Sequence, residues 1–159
     1  MKKIESFTID HMTLLPGIYF SRQDELCPSK DVPSPEMTCP VTTYDIRITR
    51  PNFEKVMGTG EIHAIEHIGA TYLRNRDDFK SRVIYWGPMG CRTGFYLITA
   101  GKYPIDFIRD IMIDLFSFTA DFEGDIPGAT PEECGNYSDM DLPAAKNRAK
   151  KYLEILKKI

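Results

Sequence analysis

The amino-acid sequence predicts an α+β protein, a single domain in which an antiparallel sheet has helices packed against it and a central helix carries a metal site. Three observations lead there. Short segments alternate apolar and polar residues between turn signals, as strands of a half-buried sheet do. Three longer segments repeat their apolar residues at helical spacing. The composition, 42% hydrophobic and 27% charged over 159 residues, is ordinary for a globular chain, and a domain of this size buries roughly 70% of its unfolded surface. No internal repeat or linker divides residues 1–159.

In chain order, residues 4–10 and 14–20 read as strands. Residues 22–40 hold Pro28, Pro33, Pro35 and Pro40 among polar side chains and read as a long surface loop. Residues 42–49 alternate again, with Asp45 and Arg47 on the face opposite Tyr44, Ile46 and Ile48. A helix is expected over residues 60–75 and a strand over 82–86. The glycine-rich turn G-P-M-G-C and a strand over 93–99 follow. A second helix over 104–121 places Ile105, Ile108, Ile111, Met112 and Leu115 on one side. Residues 124–137 read as loop. A basic amphipathic helix over 143–158 closes the sequence, its stripe of Tyr152, Leu153, Leu156 and Ile159 facing the core and its lysines facing water.

The chemistry concentrates in the first helix. The chain holds three histidines, and two of them, His63 and His67, stand four residues apart. At about 100° per residue, His67 lies roughly 40° from His63 and Glu66 roughly 60° to the other side, so the three share one face. The rest of that helix is apolar nearly all round and carries no Lys or Arg between Ile62 and Leu73. Buried ionisable groups need partners, and histidines at i and i+4 aim two ring nitrogens at one ion. The order H-x-x-E-H is the inverted zinc-protease motif. A third ligand is needed, and His11, Cys91 and Cys134 all have the right chemistry; Cys134 lies in a loop beside Gly135, where the backbone can approach closely. Three protein ligands leave a position open for catalysis.

Four cysteines spaced this widely do not make a disulfide framework. Cys27 and Cys39 fall in the proline-rich loop without a histidine nearby and read as bystanders. Cys91 sits in a tight glycine-rich turn beside Arg92, and a neighbouring cation lowers a thiol's pKa.

Five blocks together resemble the S-ribosylhomocysteine lyase (LuxS) family over almost the whole chain. They are S-F-T-I-D-H from Ser6 to His11, Y-D-I-R-I-T-R-P-N from Tyr44 to Asn52, H-A-I-E-H continuing into G-A-T-Y-L-R-N, P-M-G-C-R-T-G-F-Y around Cys91, and E-C-G-N-Y around Cys134. The resemblance implies that His63, His67 and Cys134 bind one divalent metal per subunit, Fe²⁺ natively and Zn²⁺ or Co²⁺ in purified protein. It implies acid/base roles for Glu66 and Cys91, and substrate contacts from Ser6, His11 and Arg47. It also implies a homodimer with active sites at the interface, and cleavage of S-ribosylhomocysteine to homocysteine and 4,5-dihydroxy-2,3-pentanedione, the autoinducer-2 precursor. One departure is visible. Tyr85-Trp86-Gly87 stands where the family commonly reads D-x-S.

A metalloprotease of the inverted-motif class would use Glu66 but give Cys91 no role. A metal-stabilised binding module would close its coordination sphere with protein. A net charge of −3 argues against nucleic acid. With no long apolar run and no apolar leader, neither membrane insertion nor export is expected, which makes the protein cytoplasmic.

Overall fold

Four strands pair antiparallel throughout, and three helices cover one face of the sheet they form. The computed structural model describes residues 10–26 and 39–159. The strands are β1 (Gly17–Leu26), β2 (Cys39–Arg47), β3 (Val83–Pro88) and β4 (Gly94–Ala100), in the spatial order β1-β2-β4-β3. The helices are α1 (Thr59–Asn75), α2 (Ile105–Asp121) and α3 (Leu142–Leu156). No helix among the described residues is long and apolar enough to cross a membrane.

Register explains the two faces. Ile18, Ile46 and Phe95 are partners across three strands, as are Tyr44, Leu97 and Trp86, and all six are buried towards the helices. Trp86 stacks on Phe95 with ring centroids 4.6 Å apart, and full burial of side chains of this kind stabilises a fold by roughly 1.5–3 kcal/mol each. The alternate row runs Tyr19, Asp45, Tyr96 and Gly87, facing away from the helices.

α1 lies against this core through Ile62, Ile65, Ile68 and Leu73. Gly69 admits Trp86: a Cβ there would come within 2.5 Å of the indole Nε1. Glu61 fixes the start of the helix, accepting the Gly58 N–H at 2.9 Å and an Arg148 Nε–H at 2.5 Å. Arg148 thus turns inward from the basic row of α3. Asp141 caps α3 by accepting the Ala144 N–H at 2.9 Å, with Pro143 in the first turn. Tyr152 then ties α3 to the sheet, its hydroxyl donating to the Gly17 carbonyl at 2.9 Å.

The expected loop over residues 22–40 needs correction at both ends, because β1 continues to Leu26 and β2 begins at Cys39. Arg22 to Glu25 are polar on both faces, yet an edge strand needs only one neighbour for its backbone hydrogen bonds, and β2 supplies it. The strand expected over 4–10 and the interior of the loop, with Cys27, lie outside the described residues. Ile159 is exposed rather than part of the core-facing stripe of α3.

Candidate metal centre and reactive thiol

Helical spacing delivers His63 and His67 to one face of α1, with ring centroids 4.8 Å apart and edges turned towards each other. Cys134 reaches them from the segment between α2 and α3. A turn in which the Cys134 N–H donates to the Thr130 carbonyl at 3.0 Å presents its thiol. The Cys134 Sγ lies 3.3 Å from His63 Nε2, and one ligand atom from each of the three residues falls within 4.8 Å of the others.

This donor set fits a divalent ion. Zn–N near 2.0–2.1 Å and Zn–S near 2.3 Å in a tetrahedron put N and S roughly 3.5 Å apart. Each imidazole is also oriented from behind, since His63 Nδ1 meets Asp139 Oδ1 at 2.5 Å and His67 Nδ1 meets the Pro127 carbonyl at 2.8 Å. Both Nε2 atoms are left for the centre, and orienting contacts of this kind are the usual support of metal-bound histidines. Glu66 Oε2 stands 3.8 Å from His67 Nε2 and makes no other ion pair among the described residues. Its side chain is 34% exposed, against 18% for His67.

Of the three candidates for the third ligand position, the structure brings Cys134 to the histidine pair. Cys91 and His11 belong to a different cluster, on the face of the sheet turned away from the helices. There Arg47, only 2% exposed, pairs with Asp45 Oδ2 at 2.5 Å and donates to the Thr93 hydroxyl at 2.5 Å. Cys91 Sγ lies 3.1 Å from that hydroxyl and 3.9 Å from Arg47 Nη1. Partial burial of the sulfur pushes the thiol pKa up, but hydrogen bonds from Thr93 and the charge of Arg47 outweigh it and hold the pKa below its ordinary value. The cation acting on Cys91 is therefore Arg47, across the sheet, and not its sequence neighbour Arg92.

Asp45 is shifted the other way. Burial raises its pKa, with Arg47 and then His11 opposing, so His11 faces this same cluster. Tyr96 also borders it, its phenol pKa raised by burial and by Asp45. Ser6 lies outside the described residues. The departure at Tyr85-Trp86-Gly87 divides between the faces: Trp86 is buried in the core, and the Tyr85 ring folds over Gly87, where a Cβ would meet the phenol oxygen.

Sequence reasoning missed Asp139, the Pro127 carbonyl and Thr93 as supporting groups. Thr93 is two residues from Cys91 and could have been found as the next same-side position. Asp139 and Pro127 lie in irregular chain, where spacing predicts no contact.

The comparisons agree with this geometry. Residues 4–159 match the family model described as S-Ribosylhomocysteinase (LuxS). An S-ribosylhomocysteine lyase of Clostridium beijerinckii is 53% identical over 153 residues, covering 96% of this chain and 90% of the relative. Its counterpart in Finegoldia magna is 52% identical over 159 residues, covering 100% and 94%. A third, from Borrelia garinii subsp. bavariensis, is 49% identical over 159 residues. With a match over nearly the whole chain and relatives near half identity along its full length, this chain belongs to the S-ribosylhomocysteinase (LuxS) family.

Proposed function

We propose that the chain is a metal-dependent carbon–sulfur lyase that cleaves S-ribosylhomocysteine to homocysteine and 4,5-dihydroxy-2,3-pentanedione, with residues 1–159 as one catalytic domain. The observation that carries this reading is the His63–His67–Cys134 cluster with the Glu66 carboxylate beside it, in a chain of this family. An ion held there supplies a Lewis acid for the sugar oxygens, which is what carbonyl migration requires. Fe²⁺ is the native ion in this reading, with Zn²⁺ or Co²⁺ able to replace it.

The residues divide the proton traffic. After ring opening exposes an aldehyde, the Cys91 Sγ, whose pKa Thr93 and Arg47 hold below its ordinary value, acts as base on the adjacent carbon and returns the proton to the former carbonyl carbon. Glu66 carries protons between neighbouring oxygens, so the carbonyl moves first to the second carbon and then to the third. The proton on the fourth carbon is then acidic. Its removal breaks the bond between the fifth carbon and sulfur, the homocysteine thiolate takes up a proton, and the enol left behind gains a proton at the fifth carbon as its hydroxyl loses one, which gives the dione. No water or redox partner enters the balance. Ser6, His11 and Arg47 line the pocket in this reading.

The site is built from two chains. In one chain Arg47 and Cys91 project from the face of the sheet opposite α1, and no hydrogen bond, ion pair or ring contact among the described residues joins them to the metal cluster. A homodimer in which the thiol cluster of one subunit meets the metal cluster of its partner resolves that separation. Exposed Met12, Leu15 and Tyr85 give such an interface apolar surface. A cytoplasmic setting keeps Cys91 and Cys134 reduced.

The test is direct. Purified, metal-loaded protein given S-ribosylhomocysteine should release free thiol that a thiol-reactive chromophore detects. No thiol above background, with metal bound and the dimer intact, overturns the assignment.

A further inference from the structure

We infer that Asp139 is a positioning residue for the metal centre, setting the ring orientation of His63 and adding a negative charge behind it. The inference rests on the metal-binding reading of His63, His67 and Cys134.

The two imidazoles are supported unequally. His67 Nδ1 faces a neutral carbonyl, that of Pro127, at 2.8 Å, whereas His63 Nδ1 faces a carboxylate oxygen at 2.5 Å. A carboxylate accepting the Nδ1–H fixes the tautomer with Nε2 unprotonated, and that Nε2 points to Cys134 Sγ at 3.3 Å. Among the described residues Asp139 has no lysine or arginine partner, although eight ion pairs join other carboxylates to lysine or arginine. Its negative charge is therefore directed at His63 alone. With the Cys134 thiolate and the Glu66 carboxylate it surrounds the site with negative charge suited to a divalent ion.

The backbone holds Asp139 where it is. A short 3-10 turn, Tyr137–Asp139, brings it against the first turn of α1, where the Asp141 N–H donates to the Gly60 carbonyl at 3.0 Å. Gly60 makes the approach possible, since a Cβ there would come within clashing distance of the Asp139 carbonyl. The Asp139 side chain is thus aimed by a docked backbone. Gly60 and Asp139 serve one contact although they lie far apart in the sequence.

Two substitutions separate geometry from charge. Asp139→Asn keeps an acceptor for the Nδ1–H and removes the charge; Asp139→Ala removes both. Cobalt-loaded protein gives two readouts besides turnover, which are affinity by competition with a chromophoric chelator and the thiolate-to-cobalt absorption band. Outer contacts of this kind are worth about 10- to 100-fold in metal affinity. The asparagine variant should lose about 10-fold with its band shifted, and the alanine variant about 100-fold, while urea unfolding of the metal-free proteins stays close to wild type. Wild-type affinity and an unshifted band in both variants would overturn the inference. So would a loss of metal-free stability with affinity unchanged, which would make Asp139 a fastener for the turn and nothing more. If the unsubstituted protein itself failed to bind cobalt, the metal-binding reading would fall first.

Discussion

The metal cluster and the thiol cluster are built in opposite ways. His63 and His67 come from adjacent turns of one buried helix, so backbone geometry alone holds them together, and a single irregular segment adds Cys134 and both orienting groups. Cys91, Arg47 and Thr93 come from a turn, the end of β2 and the residue just before β4, and they meet only because the sheet pairs Arg47 with Gly94. One is a local site with a distant ligand; the other is wholly a product of register. A single chain keeps the two clusters on opposite sides of the sheet.

That separation gives the largest expected effect. His67→Ala should lose the metal, and Cys91→Ala should keep it; each alone should lower turnover about a thousandfold or more. Mixed after reversible dissociation, the two inactive proteins should recover activity. Random pairing makes half the dimers heterodimers with one complete site of two, or about a quarter of wild type. Recovery at background level, with heterodimers demonstrated by mass, would mean that each site is contained in one chain.

The thiol cluster can be probed alone. Thr93 and Arg47 hold the Cys91 pKa below its ordinary value against the opposing effect of burial. Below that pKa the thiol is protonated and inert, and above it the thiolate reacts. Alkylation of Cys91 by iodoacetamide should therefore reach half its plateau rate at a pH below the usual ~8.5 of a free cysteine. Thr93→Val removes a stabilising hydrogen bond, so the midpoint should move up, and the rate near neutrality should fall several-fold. An unmoved midpoint in the Thr93 variant would leave the Thr93 backbone N–H and Arg47 as the groups that tune the thiol.

The same contrast explains what was legible in the sequence. The α+β class, all three helices and strands β2 to β4 follow from periodicity, because each element's own residues carry its pattern. The alternation places β1 too early and makes its polar end look like loop, because Arg22 to Glu25 are held as a strand by a neighbour's backbone and not by their own apolar side chains. His63, Glu66 and His67 are readable from helical spacing. Cys134 is one of three open candidates until the family resemblance and then the fold select it. Arg47 as the partner of Cys91 is invisible to local reasoning, which pointed to Arg92, since only the pairing of β2 with β4 brings residues 47 and 91 together.

The smallest effect tests how closely the irregular segment is fitted to the metal helix. Gly124 and Gly128 both adopt left-handed backbone, with φ of 90° and 74°. Alanine at either position should therefore cost about 1–2 kcal/mol of stability through the backbone alone. Their surroundings differ. A Cβ at Gly124 meets nothing within 4 Å, whereas one at Gly128 would lie 3.0 Å from His67 Nδ1 and 3.2 Å from its Cε1. The ring would have to yield by a few tenths of an ångström, away from the Pro127 carbonyl that orients it. Urea unfolding of the metal-free proteins should show comparable losses for both variants, while only Gly128→Ala should weaken cobalt binding, by several-fold. Equal affinities in the two variants would mean that His67 tolerates displacement, and that helical spacing rather than the packed segment sets the geometry of the centre.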